Sequence, residues 1–290
     1  MLSPTTLVAQ QSASRGAFGR LLTLVRFLRS AKSSDAARLR RLLLLAATSA
    51  TGVSALLVHY VTRGFCQTPL ESANLLVHVC ATVVKTVAQY IARGFRPLYP
   101  KWTFSFEVLR AVMRCATELY GHRISEELHA KHIRRGSELF GTSLGWLYAK
   151  FHKTRVEPVV VNGLEHVWIK SSAGSSASSE NRFVVIYYHG GGYAVLSPRM
   201  YIGFCNTLRS AIHDELSKLT MSGQPAPQVD FFLANYRKVP EHPFPVPAQD
   251  AVAIYEHVVA HYKISPQRII VAGDSAGGGL TLSTLLRLRE

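Results

Sequence analysis

Two glycine-rich motifs, each set between an apolar strand and a helical segment, constrain this 290-residue chain more than any other feature. The first is HGGGY at residues 189–193, and the second is GDSAGGG at residues 273–279. Glycines around Ser275 are typical of a tight strand-to-helix turn with no room for side chains. Glycines after a strand leave backbone N–H groups accessible to an anion. Together the motifs predict a site where a serine hydroxyl and several amide hydrogens face the same carbonyl group.

Short apolar strands alternate with helical segments around these motifs. The pattern predicts strands at Phe183–Tyr188, Val229–Ala234 and Arg268–Ala272, and helices at Tyr201–Leu216 and Pro247–Tyr262. Such alternation is typical of a mostly parallel sheet with helices on both faces. This part of the chain is therefore predicted to belong to the α/β class.

A helical region is predicted ahead of the sheet. Helical spacing extends over Phe104–Tyr120 and Ile124–Lys150, and large apolar residues at 140, 144, 147 and 151 predict an ordinary packing face. Asn74–Ala92 is apolar with polar interruptions and predicts an amphipathic helix lying on a surface. The Asn-Gly pair at residues 162–163 then predicts a β-hairpin, because these residues tolerate the positive φ angles of a two-residue turn.

Positive charge is concentrated before residue 181. Residues 1–180 carry 23 basic and 10 acidic residues, whereas residues 181–290 carry 10 and 8. Residues 1–41 are basic and serine-rich with one acid, which is typical of an organelle transit peptide or of a cytosolic tail. Leu42–Val61 has no formal charge over twenty residues and predicts a membrane-spanning helix, the alternative being a buried or interfacial helix.

Several kinds of site are not expected. The positive charge comes without zinc-finger spacing or an aromatic RNA-binding signature, which argues against nucleic acid as a partner. The cysteines are scattered without a Cys-x-x-Cys pair, which indicates neither a disulfide framework nor a metal site. They are Cys66, Cys80, Cys115 and Cys205. The motifs imply no metal and no organic cofactor.

A third motif, NYRKVPEHPFP at residues 235–245, lies between the first two. In this order the three motifs resemble the hormone-sensitive-lipase-like (GDXG) family of α/β-hydrolases over roughly residues 155–290. The family usually has Leu-Ala where this chain has Lys238-Val239. The resemblance implies a carboxylic-ester hydrolase in which Ser275 is the nucleophile and forms an acyl-serine intermediate.

The resemblance also implies roles for the residues around Ser275. Oxyanion-hole N–H groups are implied at Gly190, Gly191, Gly192 and Ala276, and support of the motifs at His189, Gly273, Asp274 and Gly277. In the family the aspartate at position 274 supports the turn and is not the triad acid, and helices such as Trp102–Lys153 form a substrate-covering cap. Glu241 and His242 are adjacent, yet the prolines around them favour a rigid connection over a catalytic dyad.

The residues after Ser275 limit the chemistry. In this fold the triad runs from serine to an acid and then to a histidine, but Glu290 is the only acid after Ser275 and no histidine follows it. The expectation is an incomplete α/β-hydrolase fold, truncated and inactive, with Arg268–Ala272 as an exposed sheet edge. The alternative is a non-catalytic, receptor-like member of the same fold that binds a ligand.

The predicted organisation has four parts. They are a basic leader or cytosolic tail at 1–41, a candidate transmembrane helix at 42–61, a helical region at 62–153 and a partial hydrolase domain at 154–290. The expected substrate is a small-molecule ester or a lipid, and the N-terminal helix is expected to contact a membrane. A single-pass protein of the endoplasmic reticulum is favoured, with the mitochondrion as the alternative because residues 1–41 also fit a transit peptide.

Overall fold

A computed structural model describes residue 41 and residues 52–171, 182–220 and 227–289. The chain divides into two compact units, residues 1–58 and residues 59–290. In the first unit, the structure describes residue 41 and residues 52–58. Residues 52–58 belong to the short apolar helix α1 (Gly52–Thr62). Half of the predicted membrane helix Leu42–Val61, and nearly all of the predicted leader, lie outside the described residues. The predicted boundaries there stay predictions.

Helices α2 (Pro69–Ala92) and α3 (Phe104–Tyr120) form an antiparallel hairpin. Near one end of the hairpin, Asn74 Nδ2 donates a hydrogen bond to the Tyr120 hydroxyl at 3.0 Å. At the other end, the rings of Tyr90 and Phe104 lie 4.6 Å apart. Within the described ranges, α2 is the helix that is long and apolar enough to cross a membrane, judged by length and composition. It begins five residues before the predicted amphipathic helix.

Helix α4 (Glu127–Phe151) turns a stripe of small residues towards the rest of the protein. Four buried members of this stripe recur every four residues: Ser137, Gly141, Gly145 and Ala149. A Cβ atom at Gly141 would overlap the backbone of Arg199, so this approach requires glycine. The large side chains predicted to form the packing face are exposed: Phe140, Leu144, Leu147 and Phe151. That prediction is wrong, because a close backbone approach selects small side chains and leaves the large ones on an adjacent, exposed face.

Five strands form one sheet in the described residues, in the order β1-β2-β4-β3-β5. They are β1 (Thr154–Val161), β2 (Leu164–Ser171), β3 (Arg182–Tyr188), β4 (Gln228–Ala234) and β5 (Ile269–Gly273). Strand β3 pairs with β4 and β5 in parallel, whereas β1–β2 and β2–β4 are antiparallel. The sheet is therefore mixed and not mostly parallel, because the predicted turn at Asn162-Gly163, which is confirmed, folds β1 directly back onto β2. As predicted, β5 is an edge strand of the described sheet.

Helices cover both faces of this sheet, as predicted. They are α5 (Ile202–Leu219), α6 (Val246–Tyr262) and α7 (Ala276–Arg289). Alternate residues of a strand point to opposite faces. Accordingly, Ile186 and Tyr188 belong to a core with α6 and α7, whereas Val185 and Tyr187 belong to a second core with α5. The carboxyl ends of β3 and β5 lead into the two glycine-rich motifs.

Candidate active site

The turn at Ser275 joins β5 to α7. Ser275 has a φ of 50°, in the left-handed region that residues other than glycine rarely adopt, and it is exposed. The Gly277 N–H donates to the Asp274 carbonyl at 2.8 Å, and the Gly279 N–H donates to the Ser275 carbonyl at 3.1 Å. Helix α7 thus begins at Ala276, directly after the serine. Such a strained backbone is typical of a sharp strand-to-helix turn that presents a reactive serine.

The second turn follows β3 and contains the glycines of the HGGGY motif. Gly191 has a φ of 119° and Gly192 a φ of 59°, which glycine adopts at low cost. The Gly191 carbonyl accepts hydrogen bonds from the N–H groups of Ala194 and Val195, at 3.0 and 2.9 Å. Gly192 is exposed, and a Cβ atom there would meet nothing within 4 Å. The backbone of this turn is therefore accessible from outside the fold.

The two turns adjoin because β3 and β5 are neighbours in the sheet. Their parallel register places Tyr188 opposite Gly273, the last residue of each strand. The Asp274 carboxylate accepts hydrogen bonds from the Gly190 N–H at 2.9 Å, the Tyr201 hydroxyl at 3.0 Å and the Tyr187 hydroxyl at 3.3 Å. Asp274 is thus occupied in joining the turns, which fits the supporting role that the resemblance implies.

The Ser275 hydroxyl has no hydrogen-bonded base among the described residues. Within the part of the chain that the structure describes, no side chain hydrogen-bonds to the Ser275 hydroxyl. In the same residues, no group of three or more His, Cys, Asp or Glu side chains could hold a metal ion. The structure brings the predicted site residues together in two adjoining turns. The role of Ser275 as nucleophile and of the neighbouring N–H groups as an oxyanion hole stays a prediction.

His189 is a buried residue of the loop. Its Nδ1 donates to the Gly190 carbonyl at 2.7 Å, and its ring stacks on that of Tyr236 with 4.6 Å between centroids. The Tyr236 hydroxyl also donates to the His189 carbonyl at 2.8 Å. Burial lowers the pKa of His189 to about 3, so the imidazole is neutral near pH 7. This environment fits a residue that holds the loop in place.

Arg134 of α4 connects the helical region to the loops next to the two turns. Its Nε donates to the Ala194 carbonyl at 2.6 Å, and its Nη2 donates to the Val239 carbonyl at 2.7 Å. Its two terminal nitrogens also bind both Glu241 oxygens, at 2.8 and 2.9 Å. This pairing lowers the pKa of Glu241 to about 2. The Glu241 carboxylate is therefore engaged by Arg134, and no pattern in the sequence singled out this arginine.

Lys238 lies at one of the positions where this chain departs from the family pattern. Its side chain is buried, and Nζ donates to Asn235 Oδ1 at 2.5 Å and to the Tyr236 carbonyl at 3.0 Å. Nζ also lies 4.9 Å from the centre of the Tyr236 ring. Burial, and next the charge of Arg134, lower the pKa of Lys238 to about 7. An uncharged lysine is therefore present in a large fraction of molecules at neutral pH.

The buried Lys238 makes stability depend on pH. Because the folded pKa lies near 7 and that of an unfolded lysine near 10.4, the unfolded chain binds one proton more between these values. The free energy of unfolding should therefore rise with pH above about 7, by up to about 1.4 kcal/mol per pH unit. Lys238→Met is expected to remove this rise in urea unfolding curves, whereas the exposed control Lys218→Met keeps it. An unchanged slope in Lys238→Met would contradict this account.

A strained serine turn beside a glycine turn, on a sheet covered by helices on both faces, is the arrangement of the α/β hydrolase fold. Residues 185–290 match the Abhydrolase_3 family, whose description is an alpha/beta hydrolase fold. The resemblance to hormone-sensitive-lipase-like hydrolases is therefore confirmed over this part of the chain.

Individual relatives also match part of the chain. An acetyl-hydrolase of Streptomyces hygroscopicus is 35% identical over 102 residues, which are 35% of this chain and 29% of that protein. Neutral cholesterol ester hydrolase 1 of Rattus norvegicus is 34% identical over 101 residues, 33% of this chain and 22% of that protein. A crystal structure of an esterase from the bacterial hormone-sensitive lipase family is 29% identical, with a TM-score of 0.39, over 55% of this chain and 46% of its own. The chain thus spans less than a third of either curated relative.

Proposed function

We propose that residues 154–290 provide the nucleophile and the oxyanion hole of a carboxylic-ester hydrolase of the esterase, lipase or deacetylase type. The observation that carries this proposal is the contact between the two turns, in which the carboxylate next to Ser275 accepts the Gly190 N–H at 2.9 Å. An exposed hydroxyl and an accessible glycine backbone on adjoining turns are the two components that attack on an ester carbonyl requires. The curated relatives support the same class of reaction.

In the proposed reaction, Ser275 Oγ forms a bond to the ester carbonyl carbon, and the carbonyl oxygen becomes an oxyanion. The N–H groups of Gly191, Gly192 and Ala276 stabilise that charge. Gly190 is also predicted in the oxyanion hole, but its N–H already donates to the Asp274 carboxylate at 2.9 Å, so we assign it to anchoring the loop. The ester C–O bond then breaks, and the alcohol leaves with the proton that Ser275 gives up. Water attacks the acyl-serine, releases the acid and restores the hydroxyl.

The proton of Ser275 requires a base, and no histidine follows this serine in the 290 residues. His189 precedes it, is buried and donates to the Gly190 carbonyl. Without triad partners, an oxyanion hole and substrate binding leave an acceleration of about 10³- to 10⁴-fold over water. We therefore propose that this 290-residue chain is close to inactive as an esterase by itself.

The helical region has two proposed roles. The contacts of Arg134 with the Ala194 and Val239 carbonyls support the proposal that Trp102–Lys153, within the helical part 62–153, forms a cap over the site. The length and apolar composition of α2 support membrane association of the N-terminal part, with the predicted helix Leu42–Val61 as its anchor. We propose an ester or lipid substrate and a location in the endoplasmic reticulum membrane.

Fluorophosphonate labelling of the 290-residue chain tests the assignment of Ser275. We expect slow phosphonylation at Ser275, because no histidine removes its proton, and faster labelling when imidazole is added as an external base. Mass spectrometry of the peptide that contains residue 275 locates the adduct. Ser275→Ala is the matched control and is expected to stay unmodified.

Hydrolysis of p-nitrophenyl acetate tests the proposed inactivity of this chain separately from the proposed hydrolase class. Wild type and Ser275→Ala are expected to differ little, because the base is missing. Turnover that depends on Ser275 and far exceeds the background would contradict the proposed inactivity while supporting the hydrolase class. If the fluorophosphonate leaves Ser275 unmodified even when imidazole is added, that result would instead favour the receptor-like alternative.

A further inference from the structure

The hairpin of α2 and α3 carries aromatic and basic side chains at one end, residues 93–110, here named the hairpin tip. The opposite end is attached to the rest of the protein. There Arg123 binds both Glu71 oxygens at 2.6 and 2.9 Å, and Arg123 Nη1 also donates to the Phe65 carbonyl at 3.0 Å. Because α2 has 24 residues at about 1.5 Å each, the hairpin tip lies roughly 30 Å from that attachment.

The hairpin tip is an ordered structure built around one buried acid. Glu107 is buried, pairs with Arg93 Nη2 at 2.5 Å and accepts the Leu98 N–H. The Trp102 ring lies 4.6 Å from that of Tyr99 and 4.9 Å from that of Phe106. These contacts hold the loop between the two helices in one arrangement.

The outer surface of the hairpin tip combines apolar area with positive charge. Five large apolar side chains of the tip are between 45% and 67% exposed: Phe95, Leu98, Tyr99, Phe106 and Leu109. Residues 93–110 contain four basic residues and one acid, the buried Glu107. The Arg110 guanidinium lies 5.4 Å from the Trp102 ring centre, and both residues line a cleft of about 580 Å³ with Leu98 to Lys101. Arg96 and Lys101 are exposed beside these rings.

We propose that the hairpin tip is a second membrane contact, which inserts its aromatic side chains into the interface of an anionic phospholipid bilayer. Tryptophan and tyrosine favour the boundary between headgroups and acyl chains, because their rings are apolar with a polar edge. Arg96, Lys101 and Arg110 provide the charge that complements lipid phosphates. The proposal extends the proposed membrane association and does not depend on esterase chemistry.

Quenching of Trp102 fluorescence by brominated lipids tests this contact independently of any anchor elsewhere in the chain. The 290-residue protein carrying Trp146→Phe keeps Trp102 and the buried Trp168 as its tryptophans. On vesicles of brominated phosphatidylcholine with phosphatidylserine, we expect its emission to shift to the blue and to lose a large part of its intensity. The control, with Trp102→Phe added, reports Trp168 alone and is expected to show no loss.

Charge variants and a water-soluble quencher complete the test. Each of Arg96→Gln and Lys101→Gln is expected to lower the apparent affinity of the hairpin tip for anionic vesicles about fivefold, and phosphatidylserine-free vesicles to quench less. Trp102 emission that acrylamide quenches but brominated lipid does not, in vesicle-bound protein, would overturn the proposal. Protection of Trp102 from acrylamide before lipid is added would overturn it too, since another part of the chain or a second copy would then cover the tip.

Discussion

Gly277→Ala is expected to lower the free energy of unfolding by about 3 kcal/mol, because the new methyl group has no space. A Cβ atom at residue 277 would overlap the Tyr188 carbonyl oxygen and approach the backbone of His189. Neither neighbour can move easily, since Tyr188 ends the strand that pairs with both β4 and β5, and its hydroxyl is bonded to the Ala251 carbonyl at 2.6 Å. Urea unfolding measures the loss, and labelling of Ser275 should fall with it.

Gly278→Ala is the matched control, one residue further along the same helix. The nearest atom to a Cβ there is the Gly273 carbonyl oxygen at 3.5 Å, an ordinary contact. Alanine also favours a helix over glycine by up to about 1 kcal/mol, so this variant should be as stable as wild type or more stable. Equal losses of unfolding free energy in both variants would show that any side chain in this part of α7 is destabilising. The contact with Tyr188 would then not be the cause.

The strands of the sheet could be predicted because their signal is local. Phe183–Tyr188 is an apolar run and Val229–Ala234 is apolar except for Asp230, and polar residues flank both segments. Each predicted strand begins within one residue of the observed one. The Asn-Gly turn likewise depends on two adjacent residues. The meeting of the two glycine motifs could be expected because both follow parallel strands, whose carboxyl ends lie at one edge of a sheet.

Features that depend on distant pairs could not be predicted in this way. The antiparallel pairing of β2 with β4 joins segments more than sixty residues apart, and it adds a second antiparallel pair to the sheet. The contacts of Arg134 and the burial of Lys238 likewise depend on how α4 lies against the loop after β4. In contrast, the true start of α2 had a local signal, since Thr68 and Glu71 form a capping box whose side chains bind each other's backbone N–H groups.

Arg134→Met is expected to lower the free energy of unfolding on the order of 3 kcal/mol. The substitution leaves a largely buried Glu241 carboxylate without its bidentate partner and removes donors to the Ala194 and Val239 carbonyls. Methionine keeps much of the length of arginine, so the effect reports the lost donors and charge. Lys131→Met is the control, because Lys131 also faces Glu241 but lies 3.9 Å away and is exposed. Lys131→Met should lower the free energy of unfolding by less than about 1 kcal/mol.

The pH dependence of the difference in unfolding free energy between wild type and Arg134→Met distinguishes a lost ion pair from a simple loss of packing. The folded pKa of Glu241 is about 2, below the value of about 4.3 for an unfolded glutamate. Its stabilisation is therefore fully present above the unfolded pKa and is lost as pH falls towards 2. The difference in unfolding free energy between wild type and Arg134→Met should become smaller as pH falls from about 4.3 towards 2, whereas a difference due to packing would stay constant. A constant difference would mean that Arg134 holds α4 to the loop through its carbonyl contacts alone, and that the Glu241 carboxylate contributes nothing to the position of α4.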